Sequence, residues 1–163
     1  MKPALLEALT LVVPCYNEAK RFDAARFSEA LSRFSGLQLL LVNDGSSDAT
    51  GSVIESFAAS SAGRVRTLSL AQNRGKAEAV RRGLQAAMDD GASWVGFWDA
   101  DLATPLDALA EFSAAASRHD GARALIGSRV RLLGREIDRN PVRHLLGRFF
   151  ATAASVTLDL PVY

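Results

Sequence analysis

The chain has 163 residues, of which 48% are apolar and 23% charged; it can bury the core of one domain and is too apolar for intrinsic disorder. Its formal net charge of +1 gives no support to a role in coating nucleic acid, so no nucleic-acid partner is expected. The single cysteine, Cys15, excludes an intramolecular disulfide and argues against a cysteine-based zinc site.

The opening MKPALLEALTLVV carries Pro3 and Glu7 and lacks a small-residue cleavage site, so it reads as the approach to a strand and not as a signal peptide. No apolar run reaches the roughly 20 residues of a membrane span, and a reducing cytoplasm is the expected compartment. Leu9–Val13 is the first predicted strand, ended by Pro14. A helical pattern runs from about Lys20 to Phe34 and closes at Gly36. Leu37–Val42 is almost unbroken in apolar character, as strands buried on both faces of a parallel sheet are. After the turn Asn43-Asp44-Gly45-Ser46, Asp48 is placed to cap a helix reaching about Ala59. Val65–Leu70 is the third strand.

Asn73 is placed to cap a helix to about Asp90, ended by Gly91, with an apolar face of Ala77, Val80, Leu84, Ala87 and Met88. Trp94–Trp98 is the fourth strand, and Trp94, Phe97 and Trp98 are expected in the core. Pro105 suits the first position of a helix to about Ser117, and Ala124–Ile126 is a fifth strand. An arginine-rich loop then leads to a last helix from Asn140-Pro141, with Val142, Leu145, Leu146, Phe149, Phe150, Ala153 and Ala154 at helical spacing. There are no repeats and no linker, so residues 1–163 read as one domain. Strand-helix alternation predicts an α/β fold with a mostly parallel sheet, helices on both faces and right-handed crossovers.

Ligands of such sheets bind beyond the carboxyl ends of the strands. Four of those ends carry polar clusters: Pro14-Cys15-Tyr16-Asn17-Glu18, Asn43–Asp48, Asn73-Arg74-Gly75-Lys76 and Asp99-Ala100-Asp101. Two carboxylates two apart, leaving an apolar strand, suit a hard divalent ion such as Mg²⁺ or Mn²⁺. In isolation, Asp99 and Asp101 would read as a helix cap and a solvated side chain; beside the other clusters the metal reading is favoured. Asn43–Ser46 alone would be a plain Asx turn. Arg74 and Lys76 at a helix start suit phosphate or a base, and in isolation are equally well read as a cap and a solvated face.

Residues 123–148 hold seven arginines and two acids, a local basic stretch that suggests an anionic partner. Arg129, Arg131, Arg135 and Arg139 suit phosphate oxygens, although at least two of them fit a solvated loop as well. The last helix is read first as core packing or a homodimer contact, and second, through Arg143, His144 and Arg148, as a peripheral contact with an anionic membrane surface. His119 and His144 have no metal-ligand neighbours, and Cys15 is read as packing.

Together the stretches VVPCYNEAKRF (12–22), LLLVNDGSSDAT (39–50), NRGKAEAVRRGL (73–84), FWDADLATPLDAL (97–109), GSR (127–129), Arg139 and GRFF (147–150) resemble family 2 of the GT-A glycosyltransferases. The resemblance is strongest to the polyprenyl-phosphate sugar synthases, such as the dolichyl-phosphate mannose and glucose synthases. It implies a nucleoside-diphosphate sugar donor, with Pro14, Tyr16 and Glu18 lining the base and ribose pocket, Asp44 on the base and Lys76 near the base or phosphates. It implies Asp99 and Asp101 as the metal pair, Asp101 the more direct ligand, and Arg129 and Arg139 facing the pyrophosphate or the acceptor phosphate.

Three departures bear on these roles. Asn43 precedes Asp44 where many relatives have two aspartates. Ala103 stands where some relatives place a glutamine ligand, which implies that water completes the metal shell. The chain stops at LDLPVY where relatives continue through an acceptor-side segment, which implies a domain lacking its C-terminal part.

The expected activity is transfer of a hexose from a UDP- or GDP-sugar, with inversion, to a polyprenyl phosphate, at the inner face of a membrane or free in the cytoplasm. The rivals are transfer to a saccharide hydroxyl, a nucleotidyltransferase, and a nucleotide-sugar-binding module without turnover. A nucleotidyltransferase would carry a glycine- and arginine-rich loop after the first strand, where this chain has Pro14–Glu18.

Overall fold

The computed structural model describes residues 4–119 and 121–127. The chain divides into two compact units, Met1–Ile126 and Gly127–Tyr163, and the elements described here belong to the first. Arg129, Arg139, the rest of the arginine-rich loop and the expected last helix lie outside the described residues.

Among the described residues four strands form one parallel sheet: β1 (Leu9–Cys15), β2 (Gln38–Asn43), β3 (Val65–Ser69) and β4 (Trp94–Phe97), in the order β3-β2-β1-β4. The apolar runs become interior strands because both faces are covered. Leu11, Val13, Leu39 and Leu41 face α1 (Ala24–Arg33), α2 (Thr50–Ala59) and α4 (Leu109–Arg118), in a core with Phe27, Leu31, Ile54, Phe57 and Leu109. Val12, Leu40 and Val42 face α3 (Lys76–Asp89) through Ala79 and Ala87. Each fully buried Leu or Val contributes about 1.5–3 kcal/mol of transfer energy. After β3 the chain crosses back over β2 and β1 to place β4 on the far side of β1. The order therefore reverses between β1 and β4, the point where open sheets of this kind leave a crevice for ligands.

The element boundaries depart from the sequence pattern for identifiable reasons. β1 continues through Pro14 to Cys15 in register with Val42 and Asn43, since a missing N–H costs little at a strand end. α1 begins at Ala24, four residues late, because Asp23 accepts the N–H of Arg26 while Arg21 and Phe22 turn back onto the Glu18 carbonyl. Phe22 then stacks on Phe27, with ring centroids 5.1 Å apart. Pro105 is extended and precedes a 3₁₀ turn, Leu106–Ala108, that leads into α4.

Four expectations are corrected. Asn73 does not cap α3, whose N-cap is Gly75; Asp44 accepts the N–H groups of Arg74 and Gly75 just before the helix. The buried ridge of α3 is Ala79, Gly83 and Ala87, whereas Ala77 and Met88 are exposed. A Cβ on Gly83 would lie 2.4 Å from Val12 Cγ1, so the helix is seated against the sheet through its smallest residues. Phe97 is 52% exposed, whereas Trp98 is core. Residues 124–126 carry no strand, and Ile126 is 89% exposed.

Candidate functional site

The carboxyl ends of β1 and β2 are laced together by short polar side chains. Asn17 adopts a left-handed backbone, φ 54°, and its Oδ1 accepts the N–H of Ser47 at 3.0 Å. Its own N–H donates to Ser46 Oγ at 3.1 Å. The N–H of Glu18 donates to Thr50 Oγ1 at 2.8 Å, and that of Ala19 to Asp48 Oδ2 at 3.3 Å. Asp48 also accepts the N–H and hydroxyl of Thr50 in the turn that leads into α2; the N-cap of that helix is Ala49, so the expected capping position of Asp48 is corrected by one residue. The hydroxyl bond above all, and then the backbone N–H bonds, hold the Asp48 carboxyl below its ordinary range. Thr50 is fully buried and Asp48 exposed, so one residue of this lattice anchors it and the other faces the edge.

Asp44 joins the next pair of ends. It is 2% exposed, and its own N–H donates to the Cys15 carbonyl at 2.9 Å. Its two oxygens accept the N–H groups of Arg74 at 2.8 Å and Gly75 at 2.9 Å. The reach depends on Gly45: at φ 61° its Cα lies so near the other loop that a Cβ would sit 2.3 Å from the Gln72 carbonyl carbon. The 43–46 turn and the 72–75 loop therefore touch backbone to backbone.

The same loop presents Lys76 to the end of β4. Lys76 Nζ lies 2.6 Å from Asp99 Oδ1, an oxygen that is buried and receives no well-directed hydrogen bond. Asp101 is exposed, and its Oδ1 accepts the N–H of Ala103 at 3.0 Å in an Asx turn. Leu102 takes a left-handed φ of 51° with its side chain buried, and the Trp98 indole donates to the Thr104 carbonyl at 2.8 Å. Buried Ala100 and Leu102 thus alternate with Asp99 and Asp101.

Of the expected site residues, Lys76 and Asp99 are in contact, Asp44 binds the loop that carries Lys76, and Pro14, Tyr16 and Glu18 follow from the neighbouring end of β1. Tyr16 is 47% exposed. Glu18 Oε1 accepts from Arg21 at 2.6 Å, while its Oε2 is buried and without a partner among the described residues. Two clefts lie elsewhere, one of about 410 Å³ among Glu7, Thr10, Gln38 and Arg66 at the amino ends of the strands and one of about 480 Å³ between α1 and α2.

The model of the family described as glycosyl transferase family 2 matches residues 10–161. The chain belongs to glycosyl transferase family 2. This family 2 chain is 30% identical over 154 residues to a dolichyl-phosphate beta-glucosyltransferase of Trichomonas vaginalis, an alignment covering 86% of this chain and 44% of that protein. It is 36% identical over 86 residues to a dolichyl-phosphate beta-glucosyltransferase of Dictyostelium discoideum, covering 47% and 26%. It is 30% identical over 103 residues to a poly-beta-1,6-N-acetyl-D-glucosamine synthase of Staphylococcus aureus, covering 63% and 24%. The chain thus spans 24% to 44% of the length of these relatives. Among solved structures, TarS of S. aureus in complex with UDP superposes with a TM-score of 0.60 at 22% identity, over 80% of this chain and 38% of that one. The fold is accordingly that of the GT-A glycosyltransferases, α/β with a parallel sheet and helices on both sides.

The donor set of the family 2 chain suits a hard divalent ion that is shared with phosphate. Among the described residues no three His, Cys, Asp or Glu side chains gather into a cage. Mg²⁺ and Mn²⁺ are commonly bound by one or two carboxylates with phosphates and water supplying the rest, and Asp101 keeps its second oxygen clear of the Asx turn. Asp99 fits less directly, because its buried oxygen already faces an ammonium. Sequence reasoning passed over Asn17, Ser46, Ser47 and Thr50, which hold the β1 and β2 ends together; their only trace is the density of short hydroxyl and amide side chains at two strand ends.

Proposed function

We propose that this chain binds a nucleoside-diphosphate sugar along the carboxyl edge of its sheet and transfers the sugar, with inversion, to a polyprenyl phosphate. The observation that carries the reading is the run of contacts from Cys15 through Asp44 and the 74–76 loop to Asp99, which joins the ends of β1, β2 and β4 into one polar edge. In this reading Pro14, Tyr16 and Glu18 line the base and ribose pocket. Tyr16 offers an exposed ring for the base, and Glu18 Oε2 an unpaired acceptor for a ribose hydroxyl. Asp44 meets the base and also sets the position of the phosphate-side loop. Lys76 meets the diphosphate. Asp101, with Asp99 beside it, would hold Mg²⁺ or Mn²⁺, and when bound the ion would neutralise the departing diphosphate. Arg129 and Arg139 serve the pyrophosphate or the acceptor phosphate.

A phosphate acceptor is already anionic near neutral pH, so it needs alignment and charge stabilisation in place of a general base. Similarity to dolichyl-phosphate glucosyltransferases, in one case over 86% of the chain, supports that acceptor class. A second reading, transfer to a saccharide hydroxyl, is favoured by the similarity to the poly-beta-1,6-N-acetyl-D-glucosamine synthase. Calorimetric titration of UDP-glucose and GDP-mannose, each with and without Mg²⁺ or Mn²⁺, tests donor binding; absence of binding to both overturns it. Product analysis with a short polyprenyl phosphate against an oligosaccharide acceptor separates the two transfers. Donor binding with neither product would indicate a binding module.

A further inference from the structure

We propose that Lys76 is an internal counter-ion of Asp99 in the free protein and transfers to the donor diphosphate on binding, so that the chain takes up divalent ion and nucleotide together and binds the ion weakly alone. The inference rests on the donor-binding reading above and adds to it an order of events.

The geometry that supports it is local. Asp99 Oδ1 is buried, and the ammonium 2.6 Å away supplies its compensating charge. The Asp99 side chain as a whole is 44% exposed, so solvent screens the pair and the ammonium can be exchanged for another cation at little cost. Lys76 itself is 59% exposed, on a flexible four-carbon stem at the first position of α3, and so is free to leave. Its backbone stays in place, because Asp44 pins Arg74 and Gly75 just before it. A cation that approaches Asp99 and Asp101 without a diphosphate must displace the ammonium or sit beside it, and like charges at this range repel. A diphosphate gives the ammonium a second partner and releases Asp99. Linkage then requires that nucleotide tighten ion binding by the same factor as ion tightens nucleotide binding.

The test measures Mn²⁺ affinity by the electron paramagnetic resonance of free Mn²⁺, with UDP and GDP as probes, on the full chain at low salt. In the unsubstituted protein, Mn²⁺ alone should bind weakly and tighten about tenfold or more with UDP or GDP. Lys76→Met should bind Mn²⁺ alone about tenfold more tightly, bind nucleotide without ion more weakly, and lose most of the coupling. Arg82→Met removes one cation from the exposed side of α3, where Arg82 faces Glu78, and should leave Mn²⁺ affinity within about twofold. Lys76→Met with unchanged or weaker Mn²⁺ affinity, beside intact Mn²⁺-dependent nucleotide binding in the parent, overturns the exchange alone. Equal tightening by Arg82→Met overturns it as well, since net charge and not contact would then be responsible. A parent chain that binds neither nucleotide in the presence of Mn²⁺ overturns the donor reading and the exchange with it.

Discussion

Asp44 shows how one buried carboxylate can tie the ends of two strands to a third loop. Two charge-assisted bonds to backbone N–H groups are worth about 1.5–3 kcal/mol each. Asp44→Ala should therefore lower the free energy of unfolding by about 3 kcal/mol or more, read by urea denaturation, and Asp44→Asn, which keeps one acceptor, by roughly half of that. Asp101 should behave in the opposite way. It is exposed and supports little of the fold, so Asp101→Asn should leave the denaturation midpoint unchanged while weakening Mn²⁺-dependent nucleotide-sugar binding. The loss should be at least the roughly tenfold that even outer partners of a metal ligand cost. Unchanged calorimetric affinity would remove Asp101 from the metal pair.

At the scale of elements, α3 does two jobs: its first turn presents Lys76 to Asp99, and its small-residue ridge sets its height above the sheet. An alanine at Gly83 raises intrinsic helix propensity by about 1 kcal/mol. Its Cβ would nevertheless lie 2.4 Å from Val12 Cγ1 and 2.9 Å from Val42 Cγ2, both on fully buried valines of interior strands. Overpacking of this kind costs about 1–3 kcal/mol, so Gly83→Ala should be destabilising on balance in thermal unfolding. Because lifting α3 also lifts Lys76, the same variant should weaken nucleotide binding by more than its loss of stability explains, as measured at a temperature where it is fully folded.

For the whole molecule, pH sets a window. The Glu78 carboxyl lies at about 2, lowered from 4.5 first by its hydrogen bond from Arg81 and then by that from Arg82. Its contribution is present above the unfolded value and is lost as pH falls toward the folded one; both arginines are exposed and Glu78 is partly so, so this acid limb should be shallow and should flatten in salt. Cys15 sets the alkaline side: burial pushes its thiol from 9.0 to about 12. Here the folded protein keeps a proton that the unfolded chain releases, so stability is intact below 9.0 and is lost as pH rises toward 12. Melting temperature against pH should be level from about pH 5 to 9 and decline on either side, and Cys15→Ala should remove the alkaline decline. Native Cys15, 1% exposed, should resist thiol reagents that label the urea-unfolded chain at once.

What could be read from the chain alone was whatever local periodicity carries. An almost unbroken apolar run marked β2 and shorter or mixed runs marked β1, β3 and β4, and their alternation with helical patterns placed Pro14–Glu18, Asn43–Asp48, Asn73–Lys76 and Asp99–Asp101 at one edge, because every strand of a parallel sheet points the same way. Only the tertiary structure decided which side chain answers which. Asp44 and not Asn73 holds the loop that leads into α3, a ridge of Ala and Gly and not of Val and Met is buried, Phe97 faces out, and Lys76 rests on Asp99. These outcomes turn on register and on close approaches between distant segments, of Gly45 to the backbone at Gln72 and of Gly83 to the side chains of Val12 and Val42, and no spacing within a single segment encodes such distances.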